Sequence, residues 1–225
     1  MSNPLRILPA GDSITASHDE LRGGYRGPLQ DLLDEFEVEH QYVGTRTDRS
    51  AGIRDGAHDG YPGWSMTQLL NGDDTPPWGS LSSLADSVKK FEPDVMLLLC
   101  GTNPIYLGEP EPVMQTMRDL VDNMFATRPT MHLFLGSILP IMHGPKPWNM
   151  TVPETIYKRL KQYNILQAGL VAEYAKQGKP IHFVDHYPIA NGATDLGEDG
   201  VHPAANVFPR MAWAWFAAMK AAGLF

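Results

Sequence analysis

Five short apolar runs, at 6–9, 39–43, 94–100, 132–137 and 181–184, constrain this chain more than any other feature. Each is stopped by turn-forming residues. Runs of this length without polar alternation suit strands that are buried on both faces. Stretches with helical spacing lie among them, at 25–35, 83–91, 112–127 and 205–222. Another begins at Thr151, where Thr151-Val152-Pro153-Glu154 reads as a capping box. Leu29, Leu32, Leu33 and Phe36 fall on one face of the first helical stretch, and Phe208, Met211, Trp215 and Met219 on one face of the last. Ile156, Leu160, Tyr163, Leu170 and Tyr174 do the same in the stretch that starts at Thr151. Such stripes mark core faces.

Strands alternating with helices require a parallel sheet with right-handed crossovers and helices on both sides. The predicted fold is therefore α/β: a three-layer α/β/α sandwich around a five-stranded parallel sheet, doubly wound in the flavodoxin manner, in one domain over 1–225. A strand order of 2-1-3-4-5 puts the switch point between the first and third strands, beyond whose carboxyl ends such sheets gather their chemistry.

The first strand runs into Gly11-Asp12-Ser13-Ile14-Thr15, so Ser13 stands at that edge. A serine hydroxyl is a poor nucleophile until a histidine takes its proton, and that histidine needs a carboxylate to fix its tautomer. Far down the chain, Asp199-Gly200-Val201-His202-Pro203 holds both groups. Each segment alone also reads as an ordinary turn. The loop from 186 to 201 is long enough, at roughly 3.3 Å per residue, to return His202 to Ser13. Asp12 suits a bracing bond to the turn's backbone better than acid–base work.

Together, Gly11-Asp12-Ser13-Ile14-Thr15, Gly63 in Tyr61-Pro62-Gly63-Trp64-Ser65, Asn103 in Gly101-Thr102-Asn103, and Asp199-Gly200-Val201-His202-Pro203 resemble the GDSL, or SGNH, hydrolase superfamily. The resemblance spans nearly the whole chain. It implies a serine esterase with Ser13, His202 and Asp199 as catalytic residues. It also implies an oxyanion hole made by the backbone amides of Ser13 and Gly63 with the side chain of Asn103. Where many members have aspartate after that asparagine, this chain has Pro104, which is expected to hold Asn103 in extended geometry. Gly24-Tyr25-Arg26 and His58-Asp59-Gly60-Tyr61-Pro62-Gly63-Trp64 are similar to the carbohydrate esterase family 3 branch, although Asp59 stands where that branch usually has glutamate. That likeness implies removal of acetyl groups from xylan or related sugars. The alternatives are a lipase, arylesterase or thioesterase of the same superfamily, or a carbohydrate-binding domain that has lost turnover.

Composition narrows the partners. A formal charge of −8 argues against nucleic acid and anionic membrane surfaces, which need a basic face. An acetylated carbohydrate or another small ester fits better. Cys100, the single cysteine, lies in an apolar run and reads as a buried thiol. No carboxylate or histidine cluster has ligand spacing, so no metal and no cofactor is assigned. The first residues lack a signal-peptide pattern, which fits a cytoplasmic protein as written or a secreted one whose leader has been removed.

The remaining candidates divide by setting. Ser65 and Ser137 lack a nucleophile elbow, and His58 with Asp59 suits loop bracing in solvent better than a metal pair. Tyr61, Trp64, Tyr106 and Trp148, with Trp78, are aromatic residues predicted on loops at the site end, where they would either form a shallow platform for a sugar ring or plug their loops onto the domain; the family 3 resemblance implies the platform.

Overall fold

The computed structural model describes residues 3–74, 80–142 and 154–225. Its sheet contains β1 (Leu5–Gly11), β2 (His40–Tyr42), β3 (Asp59–Gly60), β4 (Val95–Leu99), β5 (His132–Gly136) and β6 (Ile181–Val184). All the pairings are parallel, in the order β2-β1-β4-β5-β6, with β3 pairing β1. The five apolar runs are thus the five strands of the continuous path, in the order anticipated. The sixth strand is a correction: Asp59–Gly60 is two residues long and carries no apolar pattern, so only its tertiary partner defines it.

The helices are α1 (Ser13–Ala16), α2 (Arg26–Glu35), α3 (Met66–Asn71), α4 (Leu84–Phe91), α5 (Thr102–Leu107), α6 (Pro110–Thr127), α7 (Glu154–Lys176) and α8 (Phe208–Ala221). They form layers on both faces of the sheet, which is why strand residues are apolar without alternation. In β4, Met96 and Leu98 join the core beneath α3, α4, α6 and α7, whereas Val95, Leu97 and Leu99 join the core beneath α2 and α8. β5 divides likewise, with Leu133 and Leu135 on the first face and Phe134 on the second.

The predicted stripes are buried except at one end. Phe36 lies just past α2 and is 44% exposed, because the helix stops at Glu35 and Phe36 turns toward Trp213 and Phe216 on α8. The capping box at Thr151 lies outside the described residues. A different one, Ser65 with Gln68, opens α3, a helix too short to carry an apolar stripe. Cys100 is buried and free. Among the described residues, no helix is long and apolar enough to cross a membrane.

Candidate active site

β1 ends at Gly11 and β4 at Leu99, and these two residues are register partners. Their chains therefore leave the sheet side by side, at its switch point. Close approach is compulsory here: a Cβ on Gly11 would lie 1.9 Å from the Leu99 carbonyl oxygen, and Gly11 has φ +143°. The turn beyond β1 places Asp12 as the N-cap of α1, with its Oδ1 accepting from Ile14 N–H at 3.0 Å. Ser13 is the first residue of that helical turn.

From the other end of the chain, the loop after β6 returns as a hairpin closed by a bridge between Leu196 and Pro203. Asp195, at its base, accepts from the backbone N–H of Asn191 and the side chain of Asn206, and pairs with Arg210 of α8. Within the hairpin, Asp199 Oδ1 accepts the backbone N–H groups of Val201 and His202 at 2.9 and 3.0 Å. Its Oδ2 lies 2.5 Å from His202 Nδ1, and His202 Nε2 lies 2.7 Å from Ser13 Oγ. Three residues predicted from segments 189 positions apart thus form one hydrogen-bonded line.

The charges along this line follow from its surroundings. Burial raises the Asp199 carboxyl, but hydrogen bonds from the His202 ring and from the His202 and Val201 amides outweigh it and hold the group well below the usual carboxylate range. Burial lowers the His202 imidazole, yet the Asp199 hydrogen bond and charge, helped by the charge of Asp12, leave its pKa raised. With the Nδ1 proton held by Asp199, Nε2 is the atom that can accept a proton from Ser13. The arrangement has the parts for nucleophilic acyl transfer.

The second block reaches the site through β3. Pairing of Ala10 with Asp59 and Gly11 with Gly60 lays Tyr61-Pro62-Gly63 beside the Ser13 turn, and Tyr61 N–H donates to the Gly11 carbonyl at 2.9 Å. Gly63 is exposed, with φ +78° and open space where a Cβ would stand. The glycine is required there by its backbone conformation rather than by crowding.

Asn103 corrects the expectation of extended geometry. It is the second residue of α5, and Pro104 is the third. Proline is tolerated in a helix's first turn because its missing N–H has no intrahelical acceptor to lose. Asn103 Nδ2 donates to the Trp64 carbonyl at 2.9 Å, which ties α5 to the Gly63 loop.

Two members of the aromatic platform are also corrected. Tyr61 is 0% exposed and Trp64 4%, their rings stacked at 4.1 Å, and the Tyr61 hydroxyl meets Thr45 Oγ1 at 2.6 Å. Both rings are part of the core because β3 draws their loop onto the sheet. Tyr106 is half-buried on α5; burial, then the Asp199 charge, pushes its phenol up to about 12. Trp148 and Trp78 lie outside the described residues.

His58 braces its loop as read, but from the interior rather than in solvent. It is 0% exposed, accepts the Gly60 N–H on Nδ1 and meets the Asp48 carbonyl through Nε2. Asp59 is buried as well and accepts from Thr45 and Ser87. Ser65 caps α3, and Ser137 Oγ donates to Asp185 while accepting the His186 and Tyr187 amides. No group of three or more potential metal ligands occurs among the described residues.

Arg26, in the Gly24-Tyr25-Arg26 segment, has a structural role that its motif does not signal. It is fully buried, and its guanidinium donates to the carbonyls of Thr15, Ala16, Gly23, Arg49 and Gly56, gathering the loops behind Ser13. Nothing local signals the Arg26 role, since its partners come from several loops, and Asp195 reads in sequence as one more loop carboxylate until Asn206 and Arg210 meet it.

The GDSL-like Lipase/Acylhydrolase family matches residues 10–206. A curated protein described as a multidomain esterase, from Ruminococcus flavefaciens, is 28% identical over 94% of this chain. The chain spans only 28% of that relative's length. A Clostridium thermocellum family 3 carbohydrate esterase is similar in structure, with a TM-score of 0.76, 27% identity and coverage of 97% of this chain and 96% of that one. A carbohydrate esterase family 3 structure from Talaromyces cellulolyticus has the same TM-score of 0.76 at 17% identity, covering 98% and 99% of the two chains, and is a likeness of fold.

Proposed function

The chain belongs to the GDSL-like lipase/acylhydrolase family, and on that premise we propose that it is a serine esterase that removes O-acetyl groups from carbohydrate. The observation that carries this reading is the Ser13–His202–Asp199 line, 2.7 and 2.5 Å in its two links, at the sheet's switch point. Ser13 Oγ attacks the acetyl carbonyl carbon while His202 Nε2 takes its proton. Asp199 holds the ring by Nδ1 and stabilises the imidazolium that forms. The tetrahedral oxyanion is met by the backbone N–H groups of Ser13 and Gly63 and by Asn103 Nδ2. An amide NH₂ has two donors, and the bond to the Trp64 carbonyl employs one, aiming the other. Collapse expels the sugar alkoxide, which takes the proton from His202. Water then repeats the sequence on acetyl-Ser13, giving acetate and free enzyme.

The choice of an acetylated sugar is supported by the 27% identical carbohydrate esterase, which matches along nearly its whole length. Tyr106, half-buried on α5 three residues after Asn103, is the aromatic group proposed to face the substrate. The test is acetate release from acetylated xylan by wild type and Ser13→Ala, beside hydrolysis of acetyl, butyryl and octanoyl aryl esters. The reading expects Ser13-dependent acetate release and a preference for acetyl. Preference for octanoyl would overturn the substrate class, and hydrolysis unaffected by Ser13→Ala would overturn the mechanism.

A further inference from the structure

Little in its own sequence holds α5 in place. It has six residues, its third is Pro104, and its N-cap, Gly101, makes no side-chain cap bond. Helices this short are marginal without support from outside. Yet Asn103, the second residue, has to hold its amide to within about 0.5 Å if it is to meet an oxyanion. The bond from Asn103 Nδ2 to the Trp64 carbonyl fixes the side chain, not the backbone that carries it.

Tyr163 of α7 supplies that support. It is 0% exposed, and its hydroxyl donates at 2.8 Å to the carbonyl of Cys100, the residue before the Gly101 cap. The ring occupies the space in which a side chain at 101 would stand: a Cβ on Gly101 would lie 2.6 Å from Tyr163 Cζ and Oη, and Gly101 has φ +128°. Met66 Sδ of α3 also meets the hydroxyl, at 4.0 Å. One buried side chain thus bonds and packs the backbone that leads into Asn103. The next residue does comparable work elsewhere, since Asn164 exchanges two 3.0 Å bonds with the backbone of Ile138, beyond β5.

We propose that Tyr163 is a positioning residue for Asn103: by holding the Cys100–Gly101 backbone it fixes the start of α5 and therefore the direction of the Asn103 amide. It rests on the esterase reading for its kinetic consequence but not for its geometric one.

Tyr163→Phe removes one oxygen and keeps the ring against Gly101. Loss of one donor to a buried carbonyl leaves a domain of this size folded. In hydrolysis of an aryl acetate the variant is expected to lower kcat about tenfold with KM within about twofold, because a misplaced donor is missed in the transition state rather than in the ground state. In an Asn103→Ala background the same change is expected to cost less than about twofold, since the group that it positions has gone. Asn164→Ala is the control for a structural role in the same helix. It is expected to lower the urea midpoint and to change kcat by the same factor with or without Asn103. Full multiplication of the Tyr163→Phe and Asn103→Ala effects would overturn the proposal, and so would coupling of equal size between Asn164→Ala and Asn103→Ala.

A second measurement needs no substrate. The side-chain amide NMR signals of Asn103, assigned by their loss in Asn103→Ala, are expected to shift in Tyr163→Phe and to stay in place in Asn164→Ala. Unmoved signals in Tyr163→Phe would overturn the proposal whatever ester the protein hydrolyses. Signals that move in a protein showing no Ser13-dependent hydrolysis would support the placement of Asn103 by Tyr163 while overturning the esterase reading.

Discussion

Single atoms decide the chemistry of this protein. Asn103 Nδ2 already donates to the Trp64 carbonyl, so its direction is set before any ester arrives. Asn103→Ala is expected to lower turnover by about two to three orders of magnitude, the effect of losing one preorganised donor, with a smaller effect on KM. Steady-state kinetics check this, and near-normal turnover would remove Asn103 from the proposed oxyanion hole. At His202, activity and stability are expected to respond to pH in opposite senses. The proposed base form is neutral, so activity is expected to be lost as pH falls through the raised imidazole pKa. The same raised value means that the group's contribution to stability is fully present below its ordinary value of 6.5 and is lost as pH rises through the folded one. Asp199, held low, contributes stability above its ordinary 3.8 that is lost only as pH falls through its folded value. His202→Gln is expected to flatten the part of the urea-midpoint profile just above pH 6.5, and an unchanged slope there would contradict the assignment.

Elements do the placing. β3 has two residues and no apolar pattern, yet its pairing with β1 brings Gly63 to Ser13 and buries Tyr61 and Trp64. α5 carries Asn103 to the same edge, and the hairpin braced by Asp195 carries Asp199 and His202. Arg26, at the start of α2, holds the loops behind these elements. Burial pulls its pKa down to about 10, so it remains a cation at neutral pH, satisfied by five carbonyls. Arg26→Met leaves those carbonyls buried without their donor. A loss of roughly 3–5 kcal/mol in urea unfolding is expected, together with impaired turnover because the Thr15 and Ala16 carbonyls lie just after Ser13, the proposed nucleophile. A loss below about 1 kcal/mol would show that water replaces the guanidinium.

Across the whole molecule, one sheet separates two cores, and alternate residues of β1, β4 and β5 belong to different ones. Neither core can open without exposing the other side of the same strands. Unfolding followed by tryptophan fluorescence and by far-ultraviolet dichroism is therefore expected to show one coincident transition, and separate midpoints would divide the chain into independent units. The architecture was legible from residue order because period and apolarity are local properties: 94–100 reads as a buried strand whatever surrounds it. The Ser13, Gly63, Asn103, Asp199 and His202 candidates were legible because a motif preserves residue type and order. Other features had no local signal. Pro104 suggested an extended Asn103, but helix-start geometry prevailed because an N–H there has no intrahelical acceptor. Tyr61 and Trp64 looked like exposed platform residues until β3 docked on β1, Arg26 acquired its task from carbonyls in other loops, and Asp195 from Asn206 and Arg210 as well as from its own loop. Sequence alone thus determined which elements form and which reactive residue types are available. Tertiary structure decided burial, hydrogen-bond direction and charge, because these depend on neighbours brought together only when the sheet and its loops close.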